Sequence, residues 1–470
     1  MEERNVDVAI IGAGSAGLNA LSQIRKAGKS FVLINGGELG TTCARVGCMP
    51  SKAMIQLAED HYRHTYLGKH GVGGNEVLTR TSSEVMEKVQ DLRDIFVDRV
   101  LTNSTDDMPE SLFIQDFARF IEPTLLEVGK QRIRAGAVVI AAGSRPLVPA
   151  PWQQFGERIL TTDSLFELAD LPASIAVIGL GTIGLELGQS LHRLGVEVTG
   201  FDQLQGIAGI TDPQVNQAAI DIISKEFPLY LGQKAEIEEA GEKLRVSAGE
   251  HNVLVDRVLC SIGRVPNIER LGLENLGVPL DERGLPGFNS NSMQVAELPV
   301  FIAGDVNGQR PILHEAGDEG KIAGWNAAHG QTRAFRRKTP LFINFCDPNI
   351  CAVGRRFSEL DSASTVIGQI QFAPVGRALI MGKNRGLLRI YAEKASGRLL
   401  GGEMVGPKGE NLAHLLCWCI EQGLSVGDLL RMPFYHPVIE EALQAALYDA
   451  YGKLDVKNEG GLTELVPLSD

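Results

Sequence analysis

Residues 8–35, VAIIGAGSAGLNALSQIRKAGKSFVLIN, recur without a gap as residues 175–202, IAVIGLGTIGLELGQSLHRLGVEVTGFD, and this internal repeat decides the fold. Each copy reads as an apolar strand, a glycine turn, an amphipathic helix and a second strand. Gly12, Gly14 and Gly17 match Gly179, Gly181 and Gly184, and Gly28 matches Gly195 where each helix ends. One such turn is a weak signal, but two in matching strand and helix contexts are a strong one. The first glycine permits the tight turn, the second lets backbone approach a pyrophosphate, and the third lets helix pack on strand. The pyrophosphate is expected at the helix N-termini, opened by Ser15 and Ala16 in one copy and by Thr182 and Ile183 in the other, where free N–H groups favour negative charge. The two units are therefore read as dinucleotide-binding folds of the Rossmann type.

The second strand of such a unit should end in an acidic residue that holds the adenosine ribose. Asp202 supplies it in the second copy, and the following Gln203-Leu204-Gln205 contains no arginine for a 2′-phosphate; NAD is expected there rather than NADP. The first copy has Asn35-Gly36 instead, a neutral side chain that can still hydrogen-bond a ribose. Further strand-then-turn segments are Val138 to Pro146, carrying Ala142, Gly143 and Ser144; Val258 to Asn267, carrying Gly263; and Val300 to Asp305. Beyond about residue 340 the pattern changes to strands such as Gly386 to Ala392 and helices over Asn411 to Gln422 and Val438 to Tyr451, a final α+β domain.

A chain of 470 residues suggests about three domains at ~150 residues each. The net charge of -13 argues against a polyanion-binding surface, so nucleic acid is not an expected partner. No apolar run reaches the length of a membrane span, and Met1-Glu2-Glu3-Arg4-Asn5 leads into a strand without a signal-peptide pattern. Seven cysteines, an odd number thinly spread, do not form a secreted disulfide framework, and a reducing, cytoplasmic location is expected.

Two of them stand together in Gly40-Thr41-Thr42-Cys43-Ala44-Arg45-Val46-Gly47-Cys48-Met49-Pro50-Ser51-Lys52, ahead of a helix. Thiols near a helix N-terminus are placed for lowered pKa, and thiolate is the form that exchanges with disulfides. The competing readings are a metal half-site or two structural cysteines; no second pair of zinc spacing accompanies them, and no metal is expected. Cys346 and Cys351 repeat the spacing, but in extended chain they point to opposite faces, and no bridge should form without a sharp turn at Asp347-Pro348. Cys417 and Cys419 point apart on a helix and are read as core.

With the Cys-x4-Cys-x-Pro-Ser-Lys segment lying between two nucleotide units, the chain resembles the pyridine nucleotide-disulfide oxidoreductase family, class I, over essentially its full length. The resemblance implies an α/β protein: an FAD-binding domain over 1–147, an NAD-binding domain over 148–267, a second part of the FAD-binding or central domain over 268–339, and a dimerisation domain over 340–470. It implies FAD in the first unit, with Thr41, Thr42, Cys43 and Lys52 near it, Ala118 against adenine, Asp305 at the ribityl chain and Ile312, Leu313 and His314 close by. Lys52 and Glu186 match an ion pair beside the flavin; Glu186 is read in the first turn of an apolar helix segment, where a carboxylate needs a partner or water. His436, within Phe434-Tyr435-His436-Pro437-Val438-Ile439-Glu440-Glu441, matches the proton carrier that one subunit lends the other. Pro437 is read as a helix start, Glu441 as the orienting carboxylate, and Glu440 as its rival.

Within the family the pattern is most similar to dihydrolipoamide dehydrogenases, which implies oxidation of a dithiol, with a lipoyl domain of a 2-oxoacid dehydrogenase complex as candidate partner, by NAD+ through Cys43 and Cys48. The end Val466-Pro467-Leu468-Ser469-Asp470 fits that group and lacks the C-terminal cysteine pair of mercuric and high-molecular-weight thioredoxin reductases. Four departures bear on the substrate: Arg45 for the usual asparagine, Asn35 for glutamate, Val438 for threonine and Phe434 for an extra histidine. Reduction of another disulfide, or a non-catalytic, redox-sensing member of the family, stay open as alternatives.

Overall fold

The computed structural model describes residues 2–68, 71–74, 79–455, 462–465 and 468; Met1, Val466, Pro467, Ser469 and Asp470, used above in reading the chain ends, lie outside these. The repeat folds as two sheets whose central strands run parallel. In the first, Glu2–Ile11 lies between Phe31–Ile34 and Gln131–Ile140, with Phe113–Ile114 beyond Phe31–Ile34 and Val300–Ile302 joined to Gln131–Ile140. In the second, Ser174–Ile178 lies between Glu197–Asp202 and Arg257–Cys260, flanked by Leu229–Leu231 and Ile159–Leu160. Phe31–Ile34 and Ser174–Ile178 are buried along their whole length. Continuous apolar strands are the mark of a parallel sheet covered on both faces.

The helix Ser15–Lys26 covers the first sheet together with Leu313–His329. Their backbones approach so closely that a Cβ on Gly320 would lie 2.1 Å from the Ala16 carbonyl oxygen. A pair of short antiparallel strands, Ser144–Pro146 and Arg264–Pro266, links the two nucleotide units. An antiparallel meander, Glu236–Ala240, Lys243–Ala248 and His251–Val255, accompanies the second sheet.

The remaining chain forms a separate C-terminal domain. Its antiparallel sheet runs Leu341–Asn344, Asn349–Gly354, Leu399–Gly406, Leu387–Glu393, Thr365–Gln371 in spatial order. Helices Gly409–Glu421 and Glu441–Tyr451 pack on it through Leu412, Leu416, Leu443 and Leu447. The last helix begins three residues later than the sequence suggested, and Pro437 does not start it. The Glu441 carboxylate folds back to accept the Val438 N–H at 3.1 Å, holding His436 to Glu440 as a turn. Among the described residues no helix is long and apolar enough to cross a membrane.

Candidate active site

The glycine turns show what each position is for. Gly12 and Gly179 have φ of +109° and +96°, and a Cβ would fall 2.2 Å and 2.5 Å from the carbonyl oxygens of Ala141 and Ser261. At Gly17 and Gly184 it would fall 1.9 Å from the carbonyl oxygens of Gly12 and Gly179. Gly14 and Gly181 have no atom within 4 Å of that position. The middle glycines thus border open space, and neither following helix has a side-chain cap on its first amides. Uncapped N–H groups facing an open cradle suit a pyrophosphate.

The residues that end the second strands are also equivalent. Asn35 accepts the Ala13 N–H at 3.1 Å, and Asp202 accepts the Leu180 N–H at 2.6 Å. The second Asp202 oxygen takes the Leu204 N–H at 2.8 Å; each carboxylate oxygen keeps acceptor capacity for a ribose hydroxyl. The Asn35 amide donates to the Gly37 carbonyl at 2.7 Å. Near the first turn, the Ser144 hydroxyl donates to Asp305 at 2.9 Å, and Arg264 donates to Ser144 through Nε at 2.8 Å. Arg264, one residue beyond Gly263, is a contact that the strand-and-turn spacing of this segment does not single out. Gly143 and Gly263 both have positive φ. Ala118 opens the strand Ala118–Glu122, the Phe117 ring lies against Gly36, and Ile312 precedes the helix that begins with Leu313 and His314.

Cys43 lies in the short helix Thr42–Val46, and Cys48 is the first residue of Cys48–Tyr62. Both are half-buried free thiols. Thr41 caps the first helix, accepting the Ala44 N–H at 3.2 Å, from a φ of +61° that β-branched residues rarely adopt. The two sulfurs do not share the lowered pKa that helix ends suggested. A hydrogen bond from Cys43, and then the Lys52 ammonium, hold Cys48 down at about 7. Cys43, as the donor in that bond, buried and beside a thiolate, is pushed up. One proton serves two sulfurs, so ionising the first opposes ionising the second.

Lys52 Nζ lies 2.8 Å from Glu186 Oε2, and the ammonium sits over the Phe345 ring, 4.6 Å from its centroid. Glu186 is buried, and its other oxygen accepts the Phe345 N–H at 2.8 Å. It is the fifth residue of Thr182–Arg193, not in the first turn as read from the sequence. That second-turn position turns it toward the redox helix, which packs on this one.

His436 Nδ1 lies 2.8 Å from Glu441 Oε1, so the partner is Glu441, not Glu440. The His436 bond, then the Val438 N–H, hold the Glu441 carboxyl below its usual range. Within one chain the His436 side chain stays 78% exposed, available to a second subunit. Of the departures, Phe434 packs on the C-terminal core, and Arg45 pairs with Glu38 while its buried Nε has no hydrogen-bond partner among the described residues. Cys346 lies in the hairpin turn, beside the cis Asp347-Pro348 bond, and Cys351 lies in the strand that follows, opposite Ile343; both are buried free thiols. Cys417 and Cys419 pack on the C-terminal core as expected. Among the described residues no group of three or more His, Cys, Asp or Glu could hold a metal ion.

Two dinucleotide cradles and a dithiol with one acidic sulfur beside a lysine define a nucleotide-linked thiol redox protein. Residues 6–332 match the pyridine nucleotide-disulphide oxidoreductase family and residues 341–447 match its dimerisation domain. The chain belongs to this family and is an FAD/NAD-linked disulfide oxidoreductase. It is 30% identical to a dihydrolipoyl dehydrogenase of Thermus scotoductus over 94% of this chain and 97% of the relative. It is 29% identical to dihydrolipoyl dehydrogenase 3 of Pseudomonas aeruginosa over 95% and 98% of the two chains. Among solved structures, the HOCl-induced flavoprotein disulfide reductase RclA of Escherichia coli, in its Cu(II) complex, superposes with a TM-score of 0.82 at 22% identity, covering 95% of this chain and 99% of that one. The last likeness concerns the fold.

Proposed function

We propose that the protein is a homodimeric dihydrolipoyl dehydrogenase that oxidises dihydrolipoamide, free or on a lipoyl domain, with NAD+. The observation that carries the reading is the asymmetry of the dithiol, with Cys48 stabilised as thiolate by Cys43 and Lys52. In the oxidised enzyme a substrate thiolate attacks Cys43 Sγ; the Cys43–Cys48 bond breaks, and Cys48 departs as the better leaving group. The second substrate thiol gives its proton to His436, oriented by Glu441, and attacks the substrate sulfur of the mixed disulfide. Cyclic disulfide leaves, Cys43 recovers a proton, and two electrons remain on the protein dithiol.

Bound FAD would relay that electron pair from the dithiol to NAD+. Gly12, Gly14, Gly17, Asn35, Ala118, Ser144, Asp305 and the segment Ile312 to His314 would hold it. Gly179, Gly181, Gly184, Asp202 and Gly263 would hold NAD. A reducing compartment, the cytoplasm, would keep the five cysteines outside the redox pair as thiols. A second reading, NADH-driven reduction of another disulfide, rests on Arg45, which stands between the two redox cysteines in sequence where the dihydrolipoamide dehydrogenases usually have asparagine, and which pairs with Glu38. Steady-state kinetics separate them: turnover of dihydrolipoamide with NAD+ should exceed NADH-driven turnover of every member of a disulfide panel. Faster reduction of a panel member would establish the second reading, and no turnover in either direction would leave a non-catalytic subunit.

A further inference from the structure

The turn between the first two strands of the C-terminal domain lies along one face of the helix Thr182–Arg193. Asn344 donates its side-chain amide to the Thr182 carbonyl at 3.1 Å, the Phe345 N–H donates to Glu186 at 2.8 Å, and the Asp347 N–H donates to Gln189 at 2.8 Å. The Asp347 carboxylate then meets Arg193 at 3.1 Å. Residues 182, 186, 189 and 193 are spaced as one helical face, so three residues of the dimerisation domain, Asn344, Phe345 and Asp347, grip this helix over its whole length. At the second of these contacts the grip reaches the redox machinery. Phe345 touches both members of the ion pair: its N–H holds the buried Glu186 carboxylate, and its ring lies under the Lys52 ammonium at 4.6 Å from the centroid.

We propose that Phe345 is a positioning residue, fixing Lys52 against Glu186 through its N–H and its ring so that the dimerisation domain sets the charge felt by Cys48. The inference rests on the reading of Lys52 as the cation serving Cys48. Lys52 is one-third exposed and could extend into solvent; Glu186 and the ring are the two contacts that keep it in place. A cation over an aromatic face gains electrostatically from the ring quadrupole, which no aliphatic side chain supplies. Removing the ring frees the ammonium and leaves the Glu186 charge less compensated. Lys52 favours the Cys48 thiolate and Glu186 opposes it, so both consequences move Cys48 toward the protonated form.

The test is site-resolved alkylation of Cys48 by iodoacetamide, read by mass spectrometry in the NADH-reduced, FAD-loaded enzyme across a pH series. Wild type should show an inflection near 7. Phe345→Leu should raise it by about half a pH unit, Phe345→Tyr should restore it, and Lys52→Met should raise it furthest. Phe345→Met, closer to the ring in volume, serves in place of leucine if that variant loses FAD. An unmoved inflection in Phe345→Leu or Phe345→Met, with Lys52→Met shifted, overturns the proposal and leaves the ring as packing. If Lys52→Met itself fails to move the inflection, the assignment of Lys52 to Cys48 falls first, and the role of Phe345 with it.

Discussion

At the scale of single residues, the carboxylates of the candidate site each accept a backbone N–H as well as facing the group they are proposed to serve. Asp202 carries two backbone N–H bonds, from Leu180 and Leu204, so it stiffens the turn and keeps acceptor capacity for the ribose proposed to bind there. Asp202→Ala should raise the KM for NAD+ and narrow its advantage over NADP+ by the worth of a charge-assisted hydrogen bond, ~1.5–3 kcal/mol; equal efficiency with both nucleotides in the wild type would remove Asp202 from the site. Glu441 differs, because its bond is to His436, the side chain proposed to move protons. Its carboxyl is held below the usual range by His436, so it is ionised throughout the neutral range and can stabilise a protonated imidazole. Glu441→Gln keeps the shape and removes the charge; kcat should drop on the order of 10-fold, with melting behaviour unchanged. A variant with wild-type kcat would show that His436 needs no oriented carboxylate.

At the scale of elements, the three glycines of each turn separate folding from binding. Gly14 has an extended backbone that alanine can adopt, and a Cβ there meets nothing within 4 Å. Gly17 has no such freedom, since its Cβ would sit 1.9 Å from the Gly12 carbonyl oxygen. Gly14→Ala should therefore fold normally and lose bound flavin, whereas Gly17→Ala should be destabilised by at least about 1–3 kcal/mol. Equal flavin content in Gly14→Ala and wild type would show that the pyrophosphate does not approach there. These elements were legible in the sequence because strand, turn and helix of a nucleotide unit are contiguous, with their roles fixed by local spacing. The Cys43/Cys48 segment was legible for the same reason. What escaped was set by contacts between distant segments: the second-turn direction of Glu186, the Arg264 bridge to Ser144, and the Phe345 ring, 293 positions beyond Lys52. Around Cys346 and Cys351 the strand pattern gives no hint of the helix that Asn344, Phe345 and Asp347 grip. The opposite pKa shifts of Cys43 and Cys48 depend on one hydrogen bond between them, which no spacing encodes.

At the scale of the whole molecule, the redox cysteines and the proposed proton carrier lie in different domains of the chain. Cys43 and Cys48 stand at the foot of the first nucleotide unit, while His436 and Glu441 lie in the dimerisation domain, with His436 still 78% exposed in one chain. A proton carrier bonded to its orienting carboxylate but turned outward is suited to another molecule's dithiol. A two-fold dimer supplies that arrangement through one self-complementary surface, each C-terminal domain serving the partner's disulfide. Exposed Met432 and Tyr435, just before His436, supply apolar surface for such an interface. If catalysis is shared in this way, two inactive chains should rescue each other. Cys48→Ser and His436→Gln subunits, refolded together with FAD, should form heterodimers in which one of the two sites has both residues intact, recovering up to about half the wild-type activity per heterodimer. Heterodimers confirmed by mass yet no more active than the two separate variants would place His436 in its own chain's chemistry, or in none.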